Sequence, residues 1–106
     1  MLGKFEAHNH NDKDGNPAGG FVAGKGLRID WQDGPLGRGE ERIEPNGAFV
    51  ETVIAAAKQR IEYYQQGKFN CRDNAMAITK LDEALMWLNK RTADREVRDV
   101  EGTHKV

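Results

Sequence analysis

Apolar residues at Val50, Ile54, Ala57, Ile61 and Tyr64 recur at spacings of four and three, tracing one narrow stripe along a helix. Asn46, following Pro45, is a good N-cap, and Gly67 a good stop. The pattern therefore predicts a first helix from about Gly47 to Gln66. Ile78, Leu81, Leu85 and Leu88 make a second stripe. It predicts a helix from about Cys71 to Asp94, capped by Asn70, with Asp73 in the first turn where its charge suits the helix dipole. The connector Gly67-Lys68-Phe69 leaves room only for an antiparallel turn, so the two seams face each other as a hairpin. Val53, Ala56, Met76 and Trp87 fall off both seams and need another partner.

Upstream the period changes to two. Leu27, Ile29 and Trp31 alternate with Arg28, Asp30 and Gln32, as in a strand with one buried face. Asp33 to Gly39 reads as a turn and Glu40 to Glu44 as a returning strand, which with Phe21 to Ala23 forms a small antiparallel sheet. Such a sheet is marginal unless a helix packs on it. Residues 1–20 are polar and rich in turn formers, and read as a flexible arm. The expected class is α+β: a small N-terminal antiparallel β-sheet followed by a C-terminal antiparallel two-helix hairpin. One domain is expected over residues 1–106, with the arm at 1–20, the sheet at 21–44, and the hairpin and tail at 46–106.

Composition changes this picture in one respect. Of 106 residues, 38% are hydrophobic and 31% charged, a thin core for a monomer, so pairing with another copy is expected. The net charge of −1 argues against DNA or RNA binding, which needs a broad basic surface. Cys71 is the single cysteine, and no stretch has the length of a signal peptide or membrane span, so a soluble intracellular protein is expected.

Candidate chemistry is mostly negative. Gly19 to Lys25 has the spacing of a phosphate-binding loop, but Gly26 stands where the magnesium-binding Ser or Thr belongs. His8 and His10 with one distant cysteine do not supply a structural zinc site, so no metal and no cofactor are expected. The sequence has no serine, and no carboxylate pair is flanked by apolar residues that would separate two pKa values. A binder is favoured over an enzyme.

The positive signal lies late in the second helix. Arg91, Arg95 and Arg98 stand four and three apart, and Trp87 lies one turn before the first. A flat ring beside planar charged forks suits a ligand carrying both a base and phosphates. The interleaved Asp94, Glu96, Asp99 and Glu101 leave open a plain ion-paired, solvated stripe. Phe69 is either a plug over the helix ends or a ring that stacks on a purine; Tyr64 either fills the seam or joins it. Asn74 either adds a cap or reaches ribose hydroxyls or a phosphate. Asn74 and Arg91 are seventeen residues apart, about 25 Å on a helix, so one small nucleotide touches both only if two antiparallel copies share it.

Several segments resemble a known group. Phe69-Asn70-Cys71-Arg72-Asp73-Asn74, Leu85 to Thr92, Arg95-Glu96-Val97-Arg98 and Val100 to His104 resemble the helical hairpin common to Thoeris anti-defence sponges and anti-CBASS cyclic-oligonucleotide sponges. Asp30-Trp31-Gln32-Asp33-Gly34 and Pro45 to Glu51 resemble the first Thoeris anti-defence family. The likeness covers roughly Leu27 to His104. One departure is Asp99, where the family pattern has Gly and where a negative charge would weaken a phosphate contact of Arg98.

The resemblance implies a phage protein, acting in the cytoplasm of the infected bacterial host. It would bind cyclic ADP-ribose isomers without cleaving them; cyclic di- or trinucleotides are a second implied ligand class. It also implies a homo-oligomer, a dimer or a hexamer built as a trimer of dimers. The ligand-binding candidates are Arg38, Arg42, Tyr64, Phe69, Asn74, Trp87, Arg91, Arg95, Arg98 and Thr103. Two alternatives remain: an enzyme degrading the same signal, and a hairpin interaction module with no nucleotide ligand.

Overall fold

The turn formers near the N-terminus build one tight turn rather than a loose segment. The Asp12 carboxylate accepts from the backbone N–H groups of Asp14 and Asn16, both at 2.9 Å, and the Asp12 N–H donates to Asn16 O. In the computed structural model, which describes residues 2–98 and 102–104, strands run on either side of this turn. β1 spans Phe5–Asn11, β2 Pro17–Gly24 and β3 Leu27–Asp30, in the antiparallel order β1-β2-β3. Residues 1–20 are thus not the expected arm; they hold β1 and the start of β2. Gly20 is required where the two strands cross most closely. Its φ is 135°, and a Cβ there would collide with the carbonyl oxygen of His8.

Register sorts the sheet into two faces. Phe5, Gly24 and Leu27 align, as do Ala7, Val22 and Ile29, giving one largely apolar face. His8, Phe21 and Asp30 align on the other. There the His8 ring stacks on Phe21 at 4.6 Å, and the Arg28 guanidinium sits 4.3 Å from the same ring while bonding Asp30 at 2.8 Å. That hydrogen bond holds the Asp30 carboxyl below its ordinary pKa.

The segment after β3 is fastened back by side-chain amides. Gln32 Oε1 accepts from the backbone N–H groups of Asn46 (2.8 Å) and Gly47 (3.3 Å). Asn46 Oδ1 accepts from Asp33 N at 2.8 Å, and its Nδ2 donates to Asp33 O at 3.1 Å. A short parallel bridge, Trp31 with Ala48, extends the clasp. Asn46 is therefore occupied and does not cap the first helix, which starts at Val50. The expected strand at Glu40 to Glu44 is replaced by a 3-10 turn, Gly39–Glu41, because the returning segment pairs through Asn46 and Ala48 instead.

α1 spans Val50–Gln65 and α2 Arg72–Val97. The chain divides into two compact units, Met1–Phe49 with Val100–Val106, and Val50–Asp99. Within the helical unit the α2 seam is as expected: Ile78, Leu81, Leu85 and Leu88 are half-buried. The α1 seam is rotated. Ile54, Lys58, Ile61 and Gln65 line it, whereas Ala57 is exposed and Val50 and Tyr64 keep 50% and 38% of their surface. Lys58 explains the rotation, for its stem lies on the seam and its ammonium reaches Asp82 of α2 at 2.7 Å. The start of α2 is capped by Cys71, whose sulfur accepts from Asn74 N, and not by Asn70, which bonds Gly67 O. No helix among the described residues is long and apolar enough to cross a membrane.

Among the described residues none is fully enclosed, and Met86, Trp87 and Phe69 each leave about two-thirds or more of their surface in water. Helices of this length draw most of their stability from tertiary packing. Light scattering at micromolar concentration is expected to give a mass at least twice 11.9 kDa; a species of 11.9 kDa alone would contradict this. The clasp has its own test. Asn46→Ala should lower stability by about 1–2 kcal/mol, the worth of its lost hydrogen bonds, with helix content unchanged by circular dichroism.

Candidate functional site

The turn between the helices is closed by side chains. Gln65 Oε1 accepts from Cys71 N at 2.8 Å, Asn70 Nδ2 donates to Gly67 O at 3.0 Å, and Asn74 Nδ2 donates to Phe69 O at 3.2 Å. These bonds hold the turn without using its rings. Phe69 stands 68% exposed, so it is not a plug over the helix ends. Tyr63, Tyr64, Gln66, Gly67, Lys68 and Phe69 line an open depression at this end of the hairpin. Asn74 steadies the turn through its bond to the Phe69 carbonyl and stays half-buried beside it.

Three residues that sequence reasoning did not select belong here. Arg60 lies 5.0 Å from the Tyr63 ring and 5.1 Å from the Tyr64 ring, and its Nε donates to the Tyr64 hydroxyl at 3.1 Å. This hydrogen bond raises the Arg60 pKa further above an already high value. Tyr63 is 57% exposed, with its ring 6.0 Å from that of Tyr64. The Lys68 ammonium is 5.4 Å from the Phe69 ring. The signal was available, because Arg60 precedes the tyrosines by three and four residues, the spacing at which helical side chains meet.

The other candidate face lies toward the end of α2. Trp87 is 70% exposed, and with Glu83, Met86 and Lys90 it lines a second open depression. Arg91 lies one turn on. Asp94 is taken by Lys90 at 2.8 Å, and among the described residues Arg91 has no hydrogen-bond or ion-pair partner. Arg95 turns half toward the seam, and Arg98 caps the helix with its N–H on Asp94 O at 3.1 Å; both also engage in contacts of their own. Asp99, Val100 and Glu101 lie outside the described residues, and with them the Gly-to-Asp departure.

Arg38, Arg42 and Thr103 belong to the sheet unit. Arg38 precedes the 3-10 turn, and Arg42 follows it. The Gly37 N–H donates to Gly102 O at 2.9 Å, and Gly102 has a φ of 78° with no room for a Cβ against Gly37 O. Glycine at 102 thus sets where Thr103 begins. Arg42 Nη1 lies 3.5 Å from the position such a Cβ would take, and Arg38, Arg42 and Thr103 are each engaged within the protein.

The sequence-selected residues therefore fall into three groups. Tyr64, Phe69 and Asn74 gather at the turn, Trp87, Arg91, Arg95 and Arg98 lie along the far half of α2, and Arg38, Arg42 and Thr103 sit in the sheet unit. Among the described residues no group of three His, Cys, Asp or Glu is placed to hold a metal. Asp12 and Asp30 are both held below the ordinary carboxylate pKa, chiefly by hydrogen bonds from Asn16 and Arg28 respectively. The arrangement offers cations and flat rings, groups that hold a ligand.

The hairpin carries a family signature. Residues 24–93 match the model described as Acb2/Tad1, hairpin domain. A curated relative from Bacillus phage SBSphiJ7, "Thoeris anti-defense 1", is 54% identical over 83 residues, 78% of this chain and 56% of the relative. The chain thus spans little more than half the length of that relative.

If a cyclic ADP-ribose isomer is held at this face, Arg91→Ala should weaken its binding by about 1.5–3 kcal/mol, the range for hydrogen bonds to charged groups. Helix content should hold, since alanine is at least as good a helix former. Calorimetry giving wild-type affinity would remove Arg91 from the candidate site.

Proposed function

The chain belongs to the Acb2/Tad1 hairpin-domain family, and from that premise we propose that it is a phage anti-defence protein that sequesters cyclic ADP-ribose isomers without cleaving them. Binding lowers the free signal below the level its effector needs, so the mechanism is mass action. The work would be done in the cytoplasm of the infected bacterium.

The observation that supports this most is the pairing of Trp87 with Arg91 on α2. A ring 70% exposed and a guanidinium without an ion-pair partner among the described residues lie one turn apart on one side of the helix. Arg91 supplies a planar fork for the pyrophosphate, with Arg95 and Arg98 on the following turns. Phe69 or Trp87 stacks on adenine, and Asn74 reaches a ribose hydroxyl. In the sheet unit the same reading assigns ligand contacts to Arg38, Arg42 and Thr103.

Geometry then favours a shared site. Asn74 and Arg91 are about 25 Å apart along one helix, farther than a small cyclic nucleotide spans. Two antiparallel copies bring the turn of one hairpin to the arginines of the other, and two-fold symmetry makes two equal sites. A hexamer assembled from three such dimers offers further places where subunits meet, suited to cyclic di- or trinucleotides.

Sequestration differs from catalysis in what comes back. Turnover requires groups that bind a transition state better than the ground state, and the site residues named here are donors and rings. Heating a stoichiometric complex after hours of incubation should return the input signal intact by chromatography. Linear ADP-ribose appearing with time and in proportion to protein would contradict the proposal.

A further inference from the structure

The sheet ends in an open edge at β1. Trp31 N donates to the Gly20 carbonyl, so Gly20, Val22 and Gly24 are the β2 residues whose backbone groups face β3. The alternate residues, Phe21 and Ala23, face β1, where they meet His8 and Glu6. The N–H and C=O groups of Phe5, Ala7, Asn9 and Asn11 are therefore directed away from the sheet. Among the described residues only β2 pairs with β1, and every β1 residue is exposed.

Edges of this kind are ordinarily guarded by a proline, a lysine, a bulge or a covering segment. β1 contains neither proline nor lysine. At the irregularity between Asn9 and Asn11 the extra residue lies on β2, so β1 keeps its pleat. The strand is instead complementary to itself. Laid antiparallel on the β1 of another copy about a two-fold axis at His8, it overlaps over its whole length. Ala7 then stands opposite Asn9 and Phe5 opposite Asn11, pairs whose outward backbone groups meet. The same register sets the Glu6 carboxylate opposite the His10 imidazole, once on each side of the axis. An axis at Ala7 shortens the overlap and sets Lys4 against His10.

We propose that β1 is an interface between two copies of this chain, which joins their three-stranded sheets edge to edge into one antiparallel sheet of six strands. A second copy is the occupant because the edge itself supplies both halves of every pair. The union also answers a weakness of the fold, since a sheet of three short strands gains independent stability only with something packed on or beside it. The interface uses no helix and none of the residues assigned to ligand, so it stands whether or not the protein binds a nucleotide.

Amide hydrogen exchange on the isolated full chain tests this without any substitution. The amides of Ala7 and Asn9 are expected to exchange within about tenfold of those of Glu6 and His8, which bond β2. Ala7→Pro removes one outward N–H and places a ring on the open edge, a change that an edge strand tolerates on its solvent side. It should leave the circular dichroism spectrum unchanged and reduce the assembly to about half the wild-type mass or less by sedimentation. Glu6→Lys and His10→Glu should each weaken the assembly, and the double variant should recover it, which a role for either side chain within one sheet does not predict. Fast exchange of Ala7 and Asn9 in the isolated protein, or an Ala7→Pro protein with wild-type mass, would overturn the pairing.

Discussion

A 26-residue α-helix is a rigid spacer of about 39 Å, and the candidate chemistry of this protein is distributed along it. Asn74 is at its start, Trp87 and Arg91 are in its second half, and no rotation about the axis brings these ends together. What α2 does provide is precise facing. Ile78, Leu81, Leu85 and Leu88 turn toward α1, so Trp87 and Arg91 turn away from it. The core seam and the candidate ligand face are two sides of one helical periodicity, and the length of the helix makes a second copy necessary if both ends are to act on one ligand.

The short turn imposes the second constraint. Gln65, Asn70 and Asn74 satisfy the backbone groups of the connector, and this leaves the aromatic side chains nothing to cover. Phe69 and the two tyrosines stay in contact with water at some cost, and cations gather on them. A turn stabilised by hydrogen bonds, with its rings turned outward, is built differently from one closed by a hydrophobic plug. That difference leaves the rings of the turn open to solvent.

Much of this architecture was legible in the sequence, and its failures have physical causes. The two helices were visible because a 3.6-residue period in apolar positions survives nearly any context. β1 was not, because Glu6, His8 and His10 alternate with Ala7 and Asn9, and neither set is apolar enough to mark a face. The caps were misplaced by one competing partner each: the Asn46 side chain is taken by Asp33, and that of Asn70 by Gly67. At the candidate site, the arginines and rings of α2 could be chosen by spacing and likeness. Arg60, which lies on neither stripe, needed the observed contact with Tyr64 to be noticed. The positions of Arg38 and Arg42 beside the tail depended on a close approach of Gly37 and Gly102, which no local pattern announces.

The central claim is that one ligand site draws on the turn of one copy and the arginines of another, and subunit complementation measures it most directly. Phe69→Ala and Arg91→Ala proteins are prepared separately, unfolded, mixed in equal amounts and refolded together, and cyclic ADP-ribose capacity is counted by equilibrium dialysis. In a mixed two-fold dimer one site carries both lesions and the other carries neither. A random mixture should therefore recover about a quarter of wild-type capacity at wild-type affinity, although each variant alone binds weakly. A mixture that binds no better than the average of the two variants would contradict a shared site and confine the ligand to a single chain.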